Sequence, residues 1–385
     1  MSARPRARDL GIPFEGTPGP WNAITDVASV EVGFTTLIQG EGALEAGCGP
    51  VRTGVTVILP RGKHDHEPVF SAYFAFNGMG EVAGALAVAE SGKLSGPIGI
   101  TNTHSTGVVR DALVAWSIRT GVPGAYHLPM VAETFDGYLN DIDGLHVRPE
   151  HVYAAIESAT SGHVAEGNVG GGTGMILHGF KGGTGTASRV VEYGGREYRV
   201  GVLVQGNTGT RPELRIAGAP VGRELLDYGV EARQKPTTKS VIVIVATDAP
   251  LDPHYLERVA KRPVLGMGRL GNTGHETSGD IFVAFSTAAP EAPEHLEEPE
   301  YGVPKLPLTG RGLGAASDRE RATPSLVLSL LFQATVEATE EAIVNALVGA
   351  EDMTGRDGRF VAAIPHRELR EALRKYNRLL PQTHD

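Results

Sequence analysis

Positions 241–245 read Val241-Ile242-Val243-Ile244-Val245, an unbroken β-branched run that predicts a buried strand. Shorter apolar runs predict further strands over 23–27, 30–37, 55–59, 98–100, 198–205 and 280–286. In the segment after Met130, Val131, Glu133 and Phe135 alternate at strand spacing and share a face. Helical spacing of apolar residues marks 108–119, 149–158, 254–261, 325–350 and 366–376. Proline stands at the start of the second and just before the fourth, and Asp252-Pro253 opens the third. On the longest helix Leu328, Phe332, Val336, Ile343 and Leu347 form the apolar stripe, with Glu337 and Glu341 assigned to the opposite, polar side. Residues 11–21 form a Gly/Pro-rich arm docked on the body, and 288–314 a proline-rich loop. No repeat or clean linker divides the chain. The pattern predicts one α/β body, residues 1–385, of layered sheets and helices.

Composition narrows the class. The 51 glycines among 385 residues are about twice the usual share and require many tight turns or close backbone approaches. A net charge of −10 without a basic cluster argues against a nucleic-acid partner. No run reaches the roughly 18 apolar residues of a membrane span. The basic start of the chain lacks the apolar core of a signal peptide, and the single cysteine, Cys48, excludes an internal disulfide. The expected compartment is the cytoplasm.

Candidate chemistry sits where polar residues meet these strands. Ser240 follows Lys239 and directly precedes the 241–245 run, after a polar stretch over 234–239 that reads as an exposed linker. A serine there either satisfies backbone groups or, if the Lys239–Ser240 bond is cut, becomes a nucleophile beside its own freed α-amine, which is a base. Glu133 on an apolar strand face is costly unless it is paired or receives a cationic ligand. Asn207, between glycines at a strand end, is a turn former or an oxyanion donor. Ser278 and Asp280, two apart, face the same way and form either a relay or a turn cap. His64 and His66 with neighbouring carboxylates read as a polar loop, since no third ligand is placed by spacing; no metal is expected. His104 and Ser105 are adjacent and suit capping better than a catalytic pair. The glycine-dense stretches 167–175 and 179–186 fit neither nucleotide fingerprint, and they read as backbone packed around a site or interface; no cofactor is expected.

Taken together, these stretches resemble the family of L-aminopeptidase/D-amino-acid esterase-amidases, which also contains the β-peptidyl aminopeptidases. The matching residues run from Arg8-Asp9-Leu10-Gly11-Ile12-Pro13 and Asn22-Ala23-Ile24-Thr25-Asp26 through Thr101-Asn102-Thr103-His104-Ser105 and the Glu133 segment. They continue in Gly170-Gly171-Gly172-Thr173-Gly174-Met175, Gln205-Gly206-Asn207, Ala246-Thr247-Asp248-Ala249-Pro250 and Ser278-Gly279-Asp280-Ile281. The resemblance implies a four-layer αββα fold, similar to that of the N-terminal-nucleophile hydrolases with its own strand connectivity. It implies self-cleavage into 1–239 and 240–385, with Ser240 as the freed nucleophile, Ser278 and Asp280 supporting it, Asn207 at the oxyanion and Glu133 receiving the substrate amine. Substrates are then short peptides or amino-acid amides and esters, and the assembly a homo-oligomer, a tetramer of processed pairs. Two positions depart from the family pattern. Phe135 stands near where a tyrosine hydroxyl helps bind the oxyanion, and Lys239 stands where glycine or asparagine precedes the serine.

Overall fold

A computed structural model of the chain describes residues 4–229, 239–288 and 318–380. The expected linker over 234–238 and the proline-rich loop over 289–314 lie outside the described residues. In chain order the strands that matter are β1 (Glu31–Gln39), β2 (Val51–Leu59), β3 (Val69–Gly78), β4 (Val82–Ala83), β5 (Lys93–Leu94), β6 (Ile98–Asn102), β7 (Met130–Thr134), β8 (Ile176–Leu177), β9 (Phe180–Lys181), β10 (Gly183–Tyr193), β11 (Arg196–Asn207), β12 (Lys239–Thr247) and β13 (Ser278–Ser286). The helices are α1 (Ala85–Ser91), α2 (Thr106–Thr120), α3 (Pro149–Ser158), α4 (Val221–Glu224), α5 (Pro253–Ala260), α6 (Pro263–Arg269), α7 (Asp318–Val348) and α8 (His366–Lys375).

Two large sheets form, one ordered β1-β2-β6-β7-β4 and the other β10-β11-β12-β13-β3-β5, beside two small two-stranded ones. The alternation of β12 shows how they stack. Val241, Val243 and Val245 join a core with helix residues such as Leu256, Leu331 and Leu347, while Ile242, Ile244 and Ala246 pack against Ile100, Met130 and Ala132 of the other sheet. The far face of that second sheet carries Val55, Val57 and Val131 against Val109, Leu113, Val152 and Ile156 of α2 and α3. The order is therefore helix, sheet, sheet, helix, the four layers expected. A strand at the centre has no solvent face, which is why the 241–245 run shows no polar alternation. Each such Val or Ile contributes roughly 1.5–3 kcal/mol by burial. Among the described residues no helix is long and apolar enough to cross a membrane.

Several local readings change. Residues 23–27 form not a strand but a short 3-10 turn, Ile24–Asp26. The Asp26 carboxylate accepts from the Trp21 and Ala23 amides and from Ser188 Oγ, and this local capping overrides the apolar spacing. Strands β3 and β10 went unread, the latter because its glycines look like loop. Gly185 is required in that strand, since a Cβ there would lie 2.0 Å from the Ala342 carbonyl of α7. Helix α7 begins at Asp318, so its first turns precede Pro324 rather than follow it; proline removes one donor without ending the helix here.

Glu337 and Glu341 correct the reading of α7 most. Both are buried rather than solvated. Arg189 of β10, itself 1% exposed, reaches Glu341 at 2.8 Å and Glu337 at 3.4 Å. Residues on either side of the 11–21 arm complete the cluster: Arg8 donates twice to Glu341, at 2.7 and 2.8 Å, and Asn22 donates once at 2.6 Å. Burial opposes the Glu341 charge, yet Arg8 and Arg189 hold its carboxyl below the usual range. Removing one partner of a buried pair leaves the other charge stranded. Glu341→Ala is expected to lower unfolding free energy by about 3–5 kcal/mol, read as a shifted denaturant midpoint with unchanged slope. An exposed-side glutamate, as the helical spacing alone suggests, would cost within about 0.5 kcal/mol.

Candidate active site

Ser240 is the second residue of β12, paired with Asn207 across antiparallel β11 and with Gly279 across parallel β13. By the alternation of β12 its side chain points between the sheets, on the side of Ile242. There the Phe135 backbone N–H, just past the end of β7, donates to Ser240 Oγ at 3.3 Å. The last residue of β11 grips the same peptide segment: Asn207 Nδ2 donates to the Phe135 carbonyl at 2.9 Å. Asn207 Oδ1 in turn accepts from the Ile176 amide at 2.9 Å. Both ends of the side-chain amide are thus assigned by their partners. Phe135 enters the site through its backbone; its ring lies over Gly137, where an added Cβ would come within 2.5 Å of it.

Glu133 is 4% exposed and shares the outward face of β7 with Val131, as the spacing predicts. Its Oε1 accepts from the Glu81 amide at 3.1 Å, and its Oε2 accepts from the Thr103 hydroxyl. Among the described residues no ion pair reaches it. Burial raises its pKa above the ordinary carboxylate value; the two hydrogen bonds oppose that shift, and the nearby Glu81 charge adds to it. The Met79–Glu81 turn sits directly on the start of β13. A Cβ on Gly279 would lie 2.6 Å from the Met79 carbonyl, and one on Gly80 would lie 3.1 Å from Glu133 Oε1. Glycine at both positions lets Glu133 come beside the Ser240 end of the sheet.

Ser278 and Asp280 do form the expected pair, with Ser278 Oγ donating to Asp280 Oδ1 at 2.6 Å. Asn77 Nδ2 donates to the other oxygen at 3.1 Å, and burial raises the Asp280 pKa. They alternate with Gly279 and Ile281, however, and so lie on the helix side of the sheet with Lys239, the partner of Ser278 in the parallel register. No hydrogen bond among the described residues joins either to Ser240 Oγ. The structure therefore gathers Ser240, Asn207, Phe135 and Glu133 at one end of the sheet pair. It sets Ser278 and Asp280 on the opposite face of the sheet, on the neighbouring strand β13, in register with Lys239 and Val241 on either side of Ser240.

Several participants were not singled out from sequence. Thr103 and Glu81 hold Glu133, and Asn77 holds Asp280. Gln205 Nε2 ties Thr134 Oγ1 of β7 (2.7 Å) to the Thr101 carbonyl of β6 (3.1 Å). The polar run after Ile100 signals the first of these. Asp136 had no such signal: it is fully buried, accepts from Asn140 Nδ2 at 3.0 Å, and burial raises its pKa to about 7 against hydrogen bonds from Thr53 and Asn140. The 167–175 stretch is packed backbone, as expected; a Cβ on Gly171 would lie 2.2 Å from Gln205 Oε1. Asn102, not Ser105, caps the turn before α2, accepting from the His104 amide at 3.0 Å, while half-exposed His104 pairs with Asp143. His66 stands edge-on to Trp116, and no cluster of three metal-binding side chains occurs among the described residues.

Comparison with known proteins bears on the family and the fold. The model of peptidase family S58 matches residues 22–361. The β-peptidyl aminopeptidase BapA of Sphingosinicella microcystinivorans is 53% identical, over 97% of this chain and 93% of its own. The solved L-aminopeptidase D-Ala-esterase/amidase of Ochrobactrum anthropi is described as a prototype for the serine aminopeptidases and a variant of the Ntn-hydrolase fold. It superposes with a TM-score of 0.83 at 45% identity, over 98% of this chain and all of that one. A Burkholderia β-aminopeptidase gives 0.79 and 44%, over 96% and 99%. The fold is thus that of the Ntn-like aminopeptidases, in line with the resemblance noted in the sequence.

The buried Asp136 has a consequence for stability. Its folded pKa lies above its unfolded one, so between about pH 4 and 7 the native state holds the extra proton. Stability from this group is therefore present at low pH and lost as pH rises to about 7, at up to about 1.4 kcal/mol per pH unit. Asp136→Asn should gain on the parent protein as pH rises from 5 to 7.5, measured by denaturant unfolding at each pH. A constant difference would show that the carboxyl titrates normally.

Proposed function

The chain belongs to peptidase family S58 and is an aminopeptidase, and from that premise we propose how its own residues divide the work. Ser240 is the nucleophile and also the point of self-cleavage. Its hydroxyl attacks the Lys239 carbonyl carbon, the acyl group passes from nitrogen to oxygen, and water hydrolyses the ester. The products are residues 1–239 and 240–385, the latter beginning with a free α-amine. Lys239 lacks the backbone freedom of glycine, so the step is slower than with glycine there.

In the processed protein the new amine takes the Ser240 hydroxyl proton as Oγ attacks the first carbonyl of a substrate. With a reference pKa near roughly 7.7–8.0 it is suited to neutral conditions. The Ser278–Asp280 pair supports this amine rather than the hydroxyl, because it flanks the Ser240 backbone on the neighbouring strand and makes no hydrogen bond to Ser240 Oγ among the described residues. One Asn207 hydrogen is held by Phe135, and the second is free to meet the oxyanion together with backbone amides. The proton returns to the departing amine, and water clears the acyl-enzyme. Glu133 binds the substrate's ammonium group. The observation that carries this reading is the convergence of Ser240 and Asn207 on one residue, Phe135, two positions beyond a buried carboxylate that makes no ion pair among the described residues.

Substrates are short peptides, amides or esters with a free amine. The 53% identity to a β-peptidyl aminopeptidase supports β-amino residues among them. The family resemblance supports a homo-oligomer of processed pairs, a tetramer, and the lone cysteine a cytoplasmic setting.

The first test is the denatured mass spectrum of the purified protein. Two masses, matching 1–239 and 240–385, are expected, with Ser240→Ala remaining one mass and failing to cleave an aminoacyl para-nitroanilide. A single mass in the parent protein, without serine-dependent turnover, would instead indicate a non-catalytic binding protein. Glu133→Gln should raise KM for substrates bearing a free amine roughly 10- to 100-fold, about 1.4 kcal/mol per decade, with a smaller change in kcat. Equal losses with N-acetylated substrates would assign Glu133 a structural role.

A further inference from the structure

Lys181 is a fully buried lysine that the mechanism above leaves unused. It closes the β8–β9 hairpin opposite Ile176. Its Nζ donates to the carbonyls of Met175 and Gly182, both at 2.8 Å, and lies 3.5 Å from that of Gly172. The Met175 carbonyl and the Ile176 N–H are the two ends of one peptide plane. The Ile176 end holds Asn207 Oδ1 at 2.9 Å, and Asn207 Nδ2 holds the Phe135 carbonyl. A continuous chain of hydrogen bonds therefore runs from the lysine through one peptide group to the amide beside Ser240. The Met175 carbonyl also accepts from the Gly182 amide at 3.0 Å, so two donors fix its direction. Apart from Lys181 the hairpin offers no side-chain donor to these carbonyls among the described residues.

We propose that Lys181 is a positioning residue for the oxyanion site: it fixes and polarises the Met175–Ile176 peptide so that Asn207 keeps its NH2 group toward Ser240. A donor at the carbonyl end strengthens the N–H at the other end, and hydrogen bonds in series reinforce one another at low dielectric. Without the lysine the Gly182 carbonyl loses its side-chain donor and the Met175 carbonyl keeps only the Gly182 amide, so the peptide is held less firmly and its Ile176 N–H orients Asn207 Oδ1 less well. The nearest opposing charge acting on Lys181 is Asp136, next to Phe135, so the lysine and the carboxylate bracket the same segment.

This inference rests on the role given to Asn207, and a double-mutant cycle separates the two. Lys181→Met, Asn207→Ala and the double variant are assayed on an aminoacyl para-nitroanilide, with rates counted per mole of cleaved chain. Lys181→Met is expected to lower kcat roughly 10- to 100-fold, below the 10²–10³-fold typical of losing an oxyanion donor outright, with KM nearly unchanged because Glu133 is untouched. In the Asn207→Ala background the same substitution should cost less than about threefold, because the group it positions is gone. A full, multiplicative loss in that background, or a KM effect as large as that on kcat, overturns the positioning role. An unchanged kcat in Asn207→Ala alone overturns the oxyanion assignment and this inference with it. If Lys181→Met does not fold, Lys181→Gln, which keeps one shorter donor, passes through the same cycle with the same deciding outcomes.

Discussion

Strand β12 is buried on both faces, so a serine near its start must find hydrogen-bond partners where water does not reach. This requirement organises the site. The partner is the Phe135 amide, contributed by the opposing sheet, and it is available only because β7 ends level with the start of β12. The sheets can approach there because the intervening positions carry no side chain: Gly279 beneath the Met79–Glu81 turn, and Gly171 against Gln205. Polar satisfaction and close packing thus select the same few positions. The result is a hydroxyl already aligned by a neutral donor, beside an amide whose orientation is fixed at both ends.

A second constraint would hold the frame through the cleavage proposed at Lys239–Ser240. Residues before and after Lys239 share the β11–β12 ladder, and α7 lies against β10. The buried cluster spans the same junction: Arg8, Asn22 and Arg189 come from the first 239 residues, Glu337 and Glu341 from the rest. Such charges are costly to bury and more costly to separate. They specify register between the two parts without a covalent link, which is what a protein that breaks its own backbone next to its nucleophile needs.

Much of this was legible in the sequence. The 241–245 run could only be a central strand, and its first hydroxyl was therefore conspicuous. Glu133 stood out because a carboxylate on an apolar strand face needs a reason. What was not legible depended on distant partners. The alternation of Ser278 and Asp280 showed that they share a face, but not whether they pair or cap a turn, nor that their face is the one opposite Ser240; that depends on the register of β13 against β12. Glu337 and Glu341 looked solvated because helical spacing cannot distinguish water from Arg189, about 150 positions earlier. Strand β10 was hidden by glycines whose purpose, admitting α7, exists only in the folded chain. Lys181 lies within the glycine-dense stretch 179–186, and no local pattern there marks it as buried.

The charge arrangement explains selectivity without a dedicated recognition loop. Glu133 is desolvated and held by two neutral donors, with no ion pair among the described residues and only His104 acting on it from farther off. Its unliganded pocket therefore resists ionisation, as the upward shift of its pKa shows. In the role proposed for Glu133, a substrate ammonium supplies the facing charge and restores the carboxylate. An acylated amine cannot do so, and it would displace water from the pocket while leaving the carboxyl without a counter-charge. Rejection of blocked substrates thus follows from what the pocket lacks. The distance from Glu133 to Ser240 is set by a strand end and two glycines rather than by a mobile loop, and it fixes how far the scissile carbonyl stands from the amine.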